Sequence, residues 1–70
     1  MPLNKAKAGY KGLIKSVTGN EKLKQFLFTL GCSEGEEITL VSVLAGNYII
    51  NIKDCRYAID KSMAKEIQIV

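Results

Sequence analysis

The sequence predicts a mainly β domain, a small antiparallel barrel of about five short strands with one short helix between the first and second strands. Three observations predict it. Only one stretch, Asn20 to Leu30, carries a helical period of apolar residues. From Glu37 onward, short runs rich in β-branched residues recur at close spacing, separated by Gly, Asn and Asp. The chain has 70 residues, enough for one domain, and a chain this short buries only about 60% of the surface it exposes when unfolded. A single helix between β segments must therefore lay its apolar stripe on the sheet, and curling that sheet into a barrel removes exposed edges.

Taken in order, residues 1–9 are polar and lysine-rich with Pro2, and are expected to form a loosely ordered tail. A single domain is expected over residues 10–70. Tyr10 to Val17 reads as the first strand, and Gly12 within it marks a bulge or a close backbone approach. Thr18-Gly19 turns the chain. Asn20 is a good N-cap, because its side-chain oxygen can accept an orphan N–H of the first turn, and Glu21 has the sign that a helix N-terminus prefers. Leu23, Phe26, Leu27 and Leu30 then fall at i, i+3, i+4 and i+7, with Gly31 placed to end the helix in a left-handed conformation. Ser33, Glu34 and Gly35 signal a tight turn.

Glu37 to Leu44 is the second strand, with Ile38, Leu40 and Leu44 on one parity. Ala45-Gly46-Asn47 reads as a tight hairpin and leads into Tyr48 to Lys53, where Tyr48, Ile50 and Ile52 share a face. Asp54-Cys55 turns into Arg56 to Asp60, with Tyr57 and Ile59 facing one way. Lys61 to Lys65 suits one helical turn capped by Asp60 or Ser62, and Glu66 to Val70 closes the fold with Ile67 and Ile69 facing in. The expected core is Leu23, Leu27, Leu30, Ile38, Leu40, Ile50, Ile52, Ile59 and Ile67.

The composition excludes several function classes. With 47% apolar and 24% charged residues the chain is globular rather than disordered. It has no histidine and two distant cysteines, Cys32 and Cys55. That provides neither the commonest general base nor a zinc-type ligand spacing, so neither a catalytic set nor a cofactor is expected. Glu34, Glu36 and Glu37 match no calcium loop. Free thiols fit a reducing cytoplasm, and no apolar run reaches membrane-spanning length. The net charge of +3 is uneven: six lysines and one acid lie between Met1 and Lys24. A basic N-terminal third could face nucleic acid, anionic lipid or an acidic protein surface, or simply be solvated. Phe28 lies off the apolar stripe of the helix. It either closes one end of the barrel or faces a partner, in which case Lys24, Phe28 and the turn Cys32, Ser33, Glu34 and Gly35 form the docking surface.

The segment LKQFLFTLGCSEGEEITLVSV resembles the FeoA family, with Leu27, Leu30, Gly31, Cys32, Ser33, Gly35, Ile38 and Leu40 at the recurring positions. Ile59, Ala64, Ile67 and Ile69 resemble the closing pattern of that family. Phe26 stands where the family usually carries Arg, and Glu34 where it often carries Pro. The resemblance implies an SH3-like barrel in a cytosolic, non-enzymatic accessory protein of bacterial ferrous-iron uptake. It also implies docking on the cytosolic GTP-binding region of the FeoB membrane transporter, and so a peripheral location at the inner membrane. The alternatives are a small basic barrel that binds nucleic acid, and a sensor domain with weak transition-metal binding through carboxylates and a thiol. Small size and an edge strand leave a homodimer open.

Overall fold

The first strand, β1 (Lys11–Val17), forms the hinge of the architecture, because its two halves pair with different neighbours. In the computed structural model, which describes residues 1–70, Lys11, Gly12 and Leu13 of β1 pair with β2 (Glu37–Leu44), whereas Ile14, Ser16 and Val17 pair with β5 (Ile67–Ile69). Between them lie α1 (Glu21–Leu30), β3 (Asn47–Ile52), β4 (Cys55–Asp60) and the short α2 (Lys61–Ala64). All pairings are antiparallel, in the order β4-β3-β2-β1-β5. Extents of 26 × 23 × 22 Å are close to isotropic, so the five strands curl around their core instead of lying flat. The expected fold class is the observed one. The sheet nevertheless does not close on itself: its order ends at β4, and no strand pairs with the outer edge of β4.

Local chemistry accounts for the helix and its ends. Asn20 Oδ1 accepts the N–H of Leu23 at 2.8 Å, which caps the first turn. At the other end Gly31 adopts φ 105°; its N–H bonds to Phe28 O, and the Cys32 N–H bonds to Leu27 O. That 6→1 and 5→2 pair is a Schellman stop, which only a residue tolerant of positive φ completes without strain. At Gly12 a Cβ would lie 2.8 Å from the Tyr10 ring and 2.9 Å from Val70 O, so the close approach expected there is real.

The core comprises Leu3, Ile14, Leu27, Cys32, Ile38, Leu40, Tyr48, Ile50, Ile52, Ile59, Ala64, Ile67 and Ile69. Three expectations need correction. Residues 1–9 are not a loose tail. Leu3 is fully buried in a 3₁₀ turn, Leu3–Lys5, Pro2 bridges to Gln68, and Met1 exchanges two 2.7 Å hydrogen bonds with Ile69. Leu3, with Ala6 packed against the same core, anchors the segment along the β5 edge. Leu44 is exposed because the register shifts between Leu40 and Ser42, and that extra residue flips the parity of the strand. Of the helix stripe only Leu27 is fully buried: Leu23 and Leu30 are half-buried, and Phe26 is exposed.

Candidate functional site

Leu27 points into the core, so Phe26 and Phe28, one residue either way, emerge on opposite flanks of α1 at about 100° per residue. Phe28 is 67% exposed. It therefore does not close the barrel, and its ring stands over a groove of ≈ 650 Å³ between α1, the end of β1 and the turn after the helix. Val17 and Phe28 make the groove apolar, Lys24 lies on the helix side and Glu34 on the turn side. Five of the six residues singled out in the sequence, Lys24, Phe28, Cys32, Ser33 and Glu34, line this groove, and Gly35 lies just outside it. Ser16, Val17, Gln25 and Thr29 complete the lining. The first two were missed because β1 is distant in sequence and only the register brings its end beside α1.

The turn wall is rigidly tied. Glu36 N–H bonds to Ser33 O at 3.1 Å with Gly35 at φ 88°, the pattern of a type II turn. Gly35 N–H bonds to Ile14 O at 2.8 Å, and Ile14 N–H to Glu36 O at 2.9 Å, so β1 holds both sides of the turn. Lys53, at the tip of the β3–β4 hairpin, packs its aliphatic chain over Gly31 and places Nζ 3.6 Å from a Glu36 carboxylate oxygen. Lys24 is paired loosely with Glu21 at 3.8 Å; exposed pairs of this kind contribute at most about 1 kcal/mol.

Cys32 serves the floor of the groove and not its surface. It is 2% exposed, because the residue after a Schellman glycine turns its side chain back onto the helix. Burial pushes the thiol up to about 11, so at neutral pH it is a protonated apolar group and not a nucleophile. Cys55 is exposed, on β4. Nowhere do three Cys, Asp or Glu side chains gather around a point that could hold a metal ion. No helix is long and apolar enough to cross a membrane. A second, smaller groove on the other flank of α1 is lined by Asn20, Lys22, Leu23, Phe26 and Met63.

The family model of the FeoA domain matches residues 1–70. Among solved structures, an iron uptake regulatory protein (FeoA) aligns at 27% identity with a TM-score of 0.92, over 100% of this chain and 93% of that one. The FeoA of Stenotrophomonas maltophilia, a procaryotic SH3 domain protein complexed with zinc, aligns at 22% identity and a TM-score of 0.88, over 100% and 89%. A manganese-dependent transcriptional repressor shares the fold at 15% identity and a TM-score of 0.92, over all of this chain but 40% of the repressor. No curated protein matches the chain in sequence.

Proposed function

The chain belongs to the FeoA family, and on that premise we propose that it is a non-enzymatic accessory of bacterial ferrous-iron uptake that docks on the cytosolic region of a FeoB-type transporter. The family match supports the iron-uptake setting, as does likeness to an iron uptake regulatory protein. The Stenotrophomonas protein has been put forward as a ferrous iron transport activating factor. The observation that carries the docking role is Phe28, a large apolar side chain left 67% exposed over a groove with one charge on either side. An aromatic anchor ringed by polar groups is how small interfaces concentrate their energy. Lysines near the groove speed the encounter with an acidic surface and make it salt-sensitive.

Calorimetric titration of the folded chain into the isolated cytosolic GTP-binding region of such a transporter tests this reading. The expected result is saturable binding that Phe28→Ala weakens. Absence of binding by the wild-type chain to that region and to the full transporter in detergent overturns it.

A further inference from the structure

The two edges of the sheet are treated differently. The β5 edge is covered by the chain itself, through the Pro2–Gln68 bridge and the paired hydrogen bonds between Met1 and Ile69. The β4 edge has no such cover. A two-residue loop, Lys53 and Asp54 with φ 49° and 63°, joins β3 to β4, so Ile52 and Cys55 form the hydrogen-bonded pair that closes it. The ladder alternates from there. Tyr57 and Ile59 bond inward to β3, while the N–H and C=O groups of Arg56 and Ala58 point off the edge.

From this edge we propose that β4 pairs with the β4 strand of a second copy of this chain, antiparallel and centred on Ala58. The charge pattern selects that partner. Arg56 and Asp60 sit two residues either side of Ala58, on the same face and both exposed. Antiparallel pairing about Ala58 sets Arg56 opposite the second copy's Asp60, and Asp60 opposite the second copy's Arg56. Two ion pairs then flank the twofold axis, and opposite charges placed directly across a strand pair favour it. The small Ala58 side chain at the axis lets the two backbones meet. Met63 N–H and Ser62 Oγ both bond to Asp60 Oδ1, which leaves Oδ2 for the guanidinium. No residue lining the Phe28 groove belongs to β4, so the dimer carries two accessible grooves. The pairing is independent of the docking role proposed above.

Sedimentation velocity over a wide concentration range, with site-directed cross-linking, tests it. The wild-type chain is expected to show a monomer–dimer equilibrium, and Arg56→Asp to raise its dissociation constant at least about tenfold by setting like charges across the axis. That substitution leaves the Asp60 cap in place. In a Cys55→Ser background, Ala58→Cys is expected to form a dimeric disulfide under mild oxidation, since hydrogen-bonded antiparallel partners lie about 5.5 Å apart between Cα atoms, within disulfide reach. Lys22→Cys in the same background, on exposed α1, is expected to cross-link at least about tenfold more slowly. A wild-type chain that stays monomeric at millimolar concentration overturns the proposal, and Arg56 is then only a guard against edge pairing. A dimer indifferent to Arg56→Asp, or equal cross-linking at residues 58 and 22, overturns it as well.

Discussion

Leu27 and Phe28 are neighbours on the same short helix, both large and apolar, yet one is 0% and the other 67% exposed. The difference comes from the 3.6-residue period of the helix, which turns one inward and the other along the groove. It separates two uses of apolar surface. The side chain on the stripe releases its hydrophobic free energy when the domain folds. The side chain off the stripe keeps most of it available for a partner.

The largest expected effects test the inward side. Leu27→Ala should destabilise the domain by about 2–5 kcal/mol, since it leaves a cavity under the only fully buried position of α1. In a domain with a total stability near the low end of about 5–15 kcal/mol, that threatens folding itself. Leu3→Ala should cost a similar amount, about 2–5 kcal/mol, because Leu3 is as deeply buried as Leu27. Thermal and denaturant unfolding check both. A Leu3 variant as stable as the wild type would show that the N-terminal segment merely rests on the barrel.

Phe28→Ala is the converse. Its stability should stay within about 0.5 kcal/mol of wild type, as at other surface sites. If the proposed docking holds, its affinity for the cytosolic region of the FeoB-type transporter should fall by about 2 kcal/mol or more. Early unfolding with undiminished affinity of the folded fraction would reverse the comparison and move the docking surface elsewhere.

Much of this contrast was legible in the sequence because short-range rules govern it. Asn20, the Leu stripe and Gly31 specify the helix to its observed ends, and Phe28 falls off the stripe by counting. The turn residues Ser33 to Gly35 lie beside Phe28 because the helix stop leads straight into them. What escaped depends on long-range pairing or on one extra residue. The bulge after Leu40 carries no sequence mark, yet it turned Leu44 off the face shared by Ile38 and Leu40. Residues 1–9 read as a polar, lysine-rich tail, because nothing near Leu3 in the sequence reveals that β5 offers the segment an edge and a pocket. Ser16 and Val17 joined the groove only through the fold. Cys32 could have been placed in the core from its position alone, since a Schellman stop brings the residue after glycine back onto the helix.

A smaller effect should touch both sides of α1 together. Asn20→Ala removes the 2.8 Å cap and should cost about 1 kcal/mol. Because the cap holds the whole helix, its loss should lower stability and leave the affinity of the folded domain for its partner nearly unchanged. A fall in affinity as large as that of Phe28→Ala would mean that the groove depends on the start of the helix and not on the exposed ring.

The smallest effect should appear only in acid. The Asp60 carboxyl lies below its ordinary value, chiefly because Ser62 Oγ donates to it at 2.6 Å, and also because the Met63 N–H donates at 2.9 Å. Its folded pKa is thus lower than its unfolded one, near 3.8, so on acidification the unfolded chain takes up the proton first. The stabilisation is complete above the unfolded pKa and is lost as pH falls through the folded pKa. Denaturant midpoints should therefore hold steady from neutral pH to about 5 and decline below about 4. Asp60→Asn keeps an acceptor at the cap but cannot titrate there, so its acid decline should be shallower. Parallel curves for the two proteins would assign the decline to other carboxylates. Asp60 caps α2, and α2 supplies Met63 to the Phe26 flank of α1 and nothing to the Phe28 groove. The Asn variant should accordingly match the wild type in the proposed binding to the transporter's cytosolic region, even where its acid stability differs.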